Sequence, residues 1–554
     1  MRTIIIGGVA AGMSAATRLR RLDETREITV YERGEHVSFA NCGLPYHVGG
    51  VIAERSALLL QTPESLAARF ALDVRVRHDV IAIDTAARTV TVRDLTAGAE
   101  SVETYDELVI ATGAAAALGP SAGGVPTHTL RSVDDVDRVL EVLDDAGPAP
   151  RVVVAGAGFI GLEAVENLVA RGARVTLVSR GRQVLSPLDP EMAAPLLAVL
   201  RDAGVDVRLG ATIVGAEAGT VRLDDGTAFE AALVVEASGV HPDRGLAALA
   251  GIAVGPSGGI AVDPRQRTSA PHVWAAGDGV EKRDHLDGEP ALVTMAGLAN
   301  RHGRAIADDI AGLEPSDARP ALGTAVLGLF GTTIAFVGWS ERRLRAEGRP
   351  HRAIHTHPAS HATYYPGAQS MAMKMLVDPA SDRILGAQIV GVDGVDKRID
   401  VIAVAMAAGL TASALSELEL AYAPQYSSAK DPVNMIGYVA QNLAGGTTDA
   451  VQWHELPAAL ADGATLVDVR TPAEHAAGAI PGAVNLPLDE LRAHHHELPD
   501  GPVIVHCQVG QRGHTAMRLL AQLGHDVRNL DGGYRTWLAG REAMSSNPVE
   551  GEHA

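Results

Sequence analysis

The sequence predicts an α/β chain of several domains: two Rossmann-like nucleotide-binding units, an α+β unit after them, and a compact α/β module at the C-terminal end. Three observations carry this expectation. A strand, a glycine loop and a helix follow one another twice, starting at Thr3 and at Arg151. A composition with 59 glycines and abundant Ala and Val suits strands joined to helices by tight loops. At 554 residues the chain exceeds the size at which one hydrophobic core stops growing.

In chain order, Thr3-Ile4-Ile5-Ile6 reads as a buried strand, Gly7 to Gly12 as its turn, and a helix runs on through Arg21. Gly7 and Gly12 keep the outer spacing of a dinucleotide loop, with Gly8, Val9 and Ala10 between them and Val9 at the middle glycine position. Ile28-Thr29-Val30-Tyr31-Glu32 is the next strand, and Glu32 ends it where a carboxylate can accept from both ribose hydroxyls, with Arg33 following. Tyr105 to Gly113 is a buried strand closing on the turn Ala111-Thr112-Gly113. The second unit begins with the strand Arg151 to Ala155 and carries the full pattern Gly156-Ala157-Gly158-Phe159-Ile160-Gly161, flanked correctly by strand and helix. Its next strand, Ala173 to Ser179, ends in Ser179-Arg180-Gly181-Arg182. Ala270 to Asp278 repeats the strand-and-turn with Gly277-Asp278, and a helix from about Ala296 to Ile310 follows. From about 320 to 440 strands precede an apolar helix, Val401 to Ala408. Asn442 to Asp449 is a small polar connection. These signals place the domains at 1–115 with 275–320, 116–274, 321–442 and 450–545.

Bulk properties exclude several classes. A formal charge of −20 argues against a nucleic-acid surface. No apolar run is long enough to span a bilayer, and the first strand opens without a charged, apolar leader, so a soluble cytoplasmic protein with no membrane partner is expected. The only two cysteines, Cys42 and Cys507, do not suggest a disulfide framework; they suggest two thiols acting singly in a reducing compartment. No metal-ligand set is expected. His494-His495-His496 reads as a solvated surface, because three adjacent histidines cannot face one metal on a helix.

Together, the two glycine loops and the Thr112-Gly113 and Gly277-Asp278 turns resemble the FAD-dependent pyridine nucleotide-disulfide oxidoreductase family over about residues 1 to 440. The resemblance implies FAD at the first unit, on Gly7, Gly8, Val9, Ala10, Gly12, Glu32, Arg33, Thr112, Gly113, Gly277, Asp278 and Ala296, with Asp278 bonding the ribityl chain. It implies the nicotinamide nucleotide at the second, on Gly156, Gly158, Phe159, Ile160, Gly161, Ser179 and Arg180. An NAD-preferring strand would end in Asp or Glu; a serine followed by arginines favours the 2′-phosphate of NADPH over NADH, and use of both stays open.

Ser38-Phe39-Ala40-Asn41-Cys42-Gly43-Leu44-Pro45-Tyr46 lacks the second cysteine of a C-x-x-x-x-C pair, and residues such as Tyr46 and His47 stand there instead. With its first glycine loop, this stretch resembles the coenzyme A disulfide reductase branch of the family. Peroxidases and oxidases with one cysteine carry a histidine in that loop, where this chain has Ala10. His361 to Ala368 and Leu420 to Pro432 resemble cap motifs of the same branch, whose tyrosines, here Tyr364 and Tyr422 with Tyr365 and Tyr426 as rivals, reach the other subunit's site. A homodimer, an α+β dimerisation domain and catalytic neighbours Ser38 and Asn41 follow from the resemblance. For coenzyme A, Arg18 and Arg21 lie three apart on one helix face and offer guanidinium groups to phosphates.

The loop Cys507 to Arg512 follows an apolar strand and precedes a helix read as starting at His514, so backbone N–H groups converge on the thiol. Asp468-Val469-Arg470, Glu474-His475, Gly478 to Ala483 and Asp531 to Trp537 make the whole module resemble a rhodanese domain. That implies a persulfide on Cys507, with Arg512 adding positive charge. The combined expectation is NAD(P)H- and FAD-dependent reduction of CoA disulfide, CoA persulfide or polysulfide at Cys42, with Cys507 as sulfane-sulfur carrier. A sulfur carrier or redox sensor with little turnover, and an NADH oxidase or peroxidase, are the alternatives.

Overall fold

The computed structural model describes residues 1–119, 124–314 and 317–546. It divides into two compact units, Met1–Gly181 with Gly204–Gly323, and Arg182–Ala203 with everything from Thr324 on.

The first unit holds two five-stranded parallel sheets. One runs in the order Val273–Ala275, Glu107–Ile110, Arg2–Ile6, Glu27–Tyr31, Asp73–Arg75, with Ile5 opposite both Val30 and Val109. Ile4, Ile5, Val30 and Val109 are wholly buried, as strands covered on both faces must be. Helices Ala10–Leu22 and Ala296–Ile310 pack together over this sheet, sharing a core of Ala11, Ala15, Ala16, Leu19, Ala299 and Ile306. The other sheet has the order Asp206–Leu209, Arg174–Ser179, Arg151–Ala155, Leu233–Glu236, Thr127–His128. In both sheets the founding strand feeds a glycine loop and a helix at its C-terminal end, where an open α/β sheet binds ligands.

The second unit combines a five-stranded antiparallel sheet with a parallel one. The antiparallel sheet runs Ala325–Leu329, Thr332–Gly338, Ile384–Gly391, Ala372–Val377, Arg352–Thr356. Its helix begins at Val395, earlier than the apolar run starting at Val401 suggests. The first turn is charged, yet Arg398 within it is buried against Asp431 at 3.0 Å, so tertiary pairing carries a stretch that hydropathy alone reads as exposed. The parallel sheet has the order Ala450–Val451, Val527–Leu530, Val503–His506, Thr465–Asp468, Val484–Asn485. Among the described residues no helix is long and apolar enough to cross a membrane. Of the three adjacent histidines, His494 pairs with Glu497 while His495 turns towards His525, their ring nitrogens 3.2 Å apart.

Candidate active site

The two glycine loops are nearly superposable in their constraints. A Cβ on Gly12 would stand 1.9 Å from Gly7 O, and one on Gly161 would stand 1.9 Å from Gly156 O. Gly7 and Gly156 both have positive φ, and a Cβ on either would lie 2.2 Å from a carbonyl of the neighbouring strand's exit, Ala111 or Ala237. Neither following helix has an acidic residue in its first turn, so the positive ends of both stay uncompensated. Around Gly158 a Cβ would meet nothing within 4 Å. Uncompensated N–H groups above a bare backbone are what a pyrophosphate needs, and the residues present therefore fit a dinucleotide in each unit.

Beyond the loops the units differ. Glu32 accepts from Gly8 N and Gly34 N, both at 2.8 Å, and so holds its carboxylate at the edge of a cavity of about 380 Å³ lined by Gly7, Glu32, Arg33, Thr112, Asp243 and Leu246. Thr112 Oγ1 donates to Asp243 O at 2.7 Å, and Arg33, largely exposed, lies 3.8 Å from Asp243. In the second unit the half-buried Ser179 and the exposed Arg180 occupy the strand end.

The Gly277-Asp278 turn has a support that the sequence conceals. Glu281-Lys282-Arg283-Asp284 reads as an exposed charge run, yet Glu281, Lys282 and Asp284 are buried. Lys282 Nζ donates to Gly277 O at 2.6 Å and Val280 O at 2.8 Å, tying the turn. Burial pulls this ammonium down to about 8, with Asp278 acting the other way. Ala296 is the first residue of its helix.

Cys42 lies exposed in the short turn Asn41–Gly43 that leads into Leu44–Val48. Two ties locate it. Ser38, a non-glycine residue at φ +47°, donates its N–H to Gly8 O at 2.8 Å and so pins the segment to the first loop. Such a conformation costs on the order of 1 kcal/mol, offset by that bond and the packing around it. On the other side, Tyr46 Oη donates to Glu163 at 3.3 Å on the helix Phe159–Ala170, which begins at the second loop. The thiol thus stands where the two nucleotide units meet. Burial, then the Glu163 and Asp278 carboxylates, push the Cys42 thiol above its usual range. Burial together with Glu163 raises Tyr46 to about 12. These side chains alone keep sulfur and phenol protonated; a thiolate at Cys42 requires a further electron-accepting or positive group beside it. Asn41 is half-buried next to it.

Tyr364 and Tyr422, 58 residues apart, share a hydrogen bond of 2.6 Å between their hydroxyls while remaining 73% and 48% exposed. Tyr365 instead sets its ring edge-on against His361, and Tyr426 is exposed. Arg18 and Arg21 part company: Arg18 Nε donates to Asp308 at 2.7 Å, whereas Arg21 is exposed. That partner lies 290 residues away, beyond any sequence signal.

Cys507 is wholly buried at the exit of Val503–His506. The helix after it starts at Gln511 and not at His514, because Gly510, at φ +92°, turns the chain straight into helical geometry. Arg512 therefore sits in the first turn, where it grips Glu474 with two bonds of 2.6 and 2.8 Å. That grip takes Glu474 down to about 2, and Glu474 foremost, with Cys507 contributing less, raises the guanidinium's own pKa. Arg512 is thus already neutralised in part. Arg470, which the sequence offers only as part of the rhodanese-like motif, is buried on Asp468 at 2.7 Å, bonds Gln508 at 3.0 Å and lies 4.4 Å over the Tyr534 ring, fastening the loop from below.

Residues 1–298 match the pyridine nucleotide-disulphide oxidoreductase family, residues 325–432 its dimerisation domain, and residues 452–540 the rhodanese-like domain. The chain belongs to the pyridine nucleotide-disulphide oxidoreductases, FAD- and NAD(P)H-dependent enzymes, and carries a rhodanese-like domain after the dimerisation domain. Among its relatives, the coenzyme A disulfide reductase of Staphylococcus haemolyticus is 35% identical over 446 residues, 80% of this chain and 100% of that one. The crystal structure of reduced Bacillus anthracis CoADR-RHD is 42% identical with a TM-score of 0.94, covering 97% of this chain and 98% of that one. An NAD-dependent persulfide reductase from A. fulgidus is 34% identical with a TM-score of 0.90, covering 97% and 100%.

Proposed function

We propose that this chain reduces CoA disulfide and CoA persulfide with NAD(P)H, using Cys42 as its single redox thiol and Cys507 as a carrier of sulfane sulfur. The observation that carries this reading is the lone, exposed Cys42 thiol between the first glycine loop and the helix of the second. FAD, when bound, supplies a two-electron acceptor between nicotinamide and thiol. The first loop, Glu32, Thr112-Gly113, Gly277-Asp278 and the helix start at Ala296 would hold it; the second loop, with Ser179 and Arg180, would hold NADPH in preference to NADH.

With CoA disulfide, the Cys42 thiolate attacks one sulfur, CoA thiolate leaves, and a Cys42–CoA mixed disulfide remains; two electrons and a proton then return the Cys42 thiolate and release the second CoA thiol. With CoA persulfide, attack on the outer sulfur expels CoA thiolate and leaves a persulfide on Cys42, which two electrons and a proton convert to thiolate and HS⁻. The hydrogen-bonded Tyr364–Tyr422 pair, exposed within the single chain, is suited to protonate a leaving thiolate at the site of a second copy, so the working form is a homodimer. Arg21 supplies a free-standing guanidinium for a CoA phosphate, and Arg18 joins it on leaving Asp308. Two free thiols support a reducing, cytoplasmic setting, and the net charge of −20 supports a reading without nucleic-acid partners.

Anaerobic sulfide release from CoA persulfide tests the scheme. Cys42→Ser is expected to abolish it and Cys507→Ser to leave it within about twofold of wild type. Undiminished release by Cys42→Ser overturns the assignment.

A further inference from the structure

The segment Asp531-Gly532-Gly533-Tyr534-Arg535-Thr536 has two faces. One wraps the Cys507 loop: Tyr534 N donates to Cys507 O at 2.8 Å and Arg535 N to Gln508 O at 3.1 Å. Gly533 lies so close that a Cβ there would stand 2.5 Å from Cys507 O and 2.8 Å from Gly510 N. The other face is fastened to the antiparallel sheet. Asp531 Oδ2 accepts from His355 N at 3.0 Å and from His355 Nδ1 at 2.7 Å, Thr536 Oγ1 shares a 2.8 Å bond with His357, and Arg535 donates to Ser370 at 2.9 Å.

His355 is buried, and its second ring nitrogen faces Glu191 Oε1 at 3.0 Å. Ionised carboxylates only accept, so a ring set between two of them carries hydrogen on both nitrogens and is an imidazolium. Glu191 passes the chain of charge to Lys374 Nζ at 2.5 Å, wholly buried, which also meets Asp189 at 2.9 Å and Glu341 at 2.6 Å. Glu341 also takes Arg345 at 2.5 Å and His351 at 3.3 Å, and neutral donors serve the other carboxylates: Gln388 bonds Asp189 at 2.7 Å, Glu341 N bonds it at 2.9 Å, and Gln452 bonds Asp531 at 3.2 Å. A connected path therefore runs from the back of the Cys507 loop to the helix Pro190–Asp202 and the sheet.

We propose that the Asp531–His355–Glu191 joint is a positioning device that holds the Cys507 loop in a fixed place on the antiparallel sheet, and that passage of sulfane sulfur from Cys507 to the reductase depends on it. The inference rests on the carrier role given above to Cys507. Burial opposes charge on His355, but its bonds to Asp531 and Glu191 outweigh burial and raise it to about 9, with Lys374 opposing. Its contribution is complete below the ordinary histidine value and is lost as pH rises through about 9. The other groups facing it hold their state in that window: Glu191 is lowered, Lys374 is raised, and His357 is pulled down to about 3 by burial and by His355 itself.

Three reactions of the full, FAD-loaded chain separate the possibilities. Thiocyanate from thiosulfate and cyanide reads Cys507 alone, and NADPH-driven release of CoA from CoA disulfide reads Cys42 alone. NADPH-driven sulfide from thiosulfate with catalytic CoA needs both. In it thiosulfate gives its outer sulfur to Cys507 and sulfite leaves; CoA thiolate takes that sulfur and frees Cys507; Cys42 takes it from CoA persulfide; and two electrons with a proton release HS⁻. In His355→Gln, Asp531→Asn and the double variant, the third reaction is expected to fall about tenfold or more, the double no lower than the singles. His355→Gln leaves the first two within about twofold. In wild type the third reaction, relative to the other two, declines above about pH 9. An unchanged third rate overturns the joint, and so does a parallel fall of all three. Independently of any activity, hydrogen exchange over 527–536 at neutral pH rises about tenfold or more in His355→Gln; unchanged exchange also overturns it. If wild type consumes no NADPH with CoA disulfide, the reading of function fails, while the exchange experiment still decides the joint.

Discussion

The two dinucleotide units share a scaffold and differ at one strand end. In each, the last glycine of the loop meets the first glycine's carbonyl at 1.9 Å from where a Cβ would be, and the first glycine meets the neighbouring strand at 2.2 Å. Those contacts involve only backbone, so they recur wherever strand, loop and helix are joined this tightly. The middle position obeys another rule. Val9, at φ −113°, has a conformation any residue adopts, and Gly158, at φ −86°, has one too. Gly158 is therefore not required by its own backbone, and a Cβ there would meet nothing within 4 Å. At the strand end, Glu32 is consumed in holding Gly8 and Gly34, whereas Ser179 and Arg180 leave a position without a carboxylate. The scaffold is common to both units; the strand ends differ in charge.

The largest test of this contrast is steric. Gly12→Ala and Gly161→Ala are each expected to destabilise the first unit by about 3 kcal/mol or more, since only backbone can give way. Denaturant midpoints measure it, and a loss below about 1 kcal/mol for both would show that the shared scaffold is looser than these distances imply. Next, Glu32→Ala removes two charge-assisted bonds and is expected to weaken FAD binding about ten- to a hundredfold while leaving the NADPH affinity of the reloaded enzyme unchanged. Flavin release followed by fluorescence decides it; equal weakening of both nucleotides would erase the distinction between the units. Third, Ser179→Glu with Arg180→Ala is expected to shift the ratio of kcat/KM for NADPH over NADH about tenfold or more towards NADH. A ratio that does not move would locate the choice elsewhere. The smallest effect belongs to Gly158→Ala: stability within about 0.5 kcal/mol of wild type, with KM for the nicotinamide nucleotide raised several-fold. A marked fall in melting temperature instead would mean that Gly158 serves the fold and not the ligand.

What could be read from the sequence follows the range of the interactions. The glycine loops are legible because the glycines that meet, Gly7 with Gly12 and Gly156 with Gly161, lie within six residues, and the Cys42 and Cys507 motifs because each is one continuous stretch. Tyr364 and Tyr422 are singled out through resemblance; that their two hydroxyls meet is seen only in the folded chain. From sequence Arg18 offers its guanidinium to a phosphate, since nothing near it announces Asp308. Lys282 stands inside a run of charges, the usual mark of a solvated face, although its ammonium supports the Gly277-Asp278 turn from inside. The helix start at Gln511 depended on a backbone angle at Gly510 that composition does not specify.

By itself, then, the sequence determined the two nucleotide units and the α+β character of the unit after them, because hydrophobic periodicity and loop spacing are local constraints on a chain; the rhodanese-like module and the part of each thiol came through resemblance. Only the tertiary structure decided which charges are free and which are spent. Asp531 meets His355 across 176 residues, and Lys374 collects carboxylates from a segment that precedes it by more than 180. Burial makes such pairs obligatory, since an unmatched charge in the interior is far costlier than one in water, but it does not mark them in the sequence.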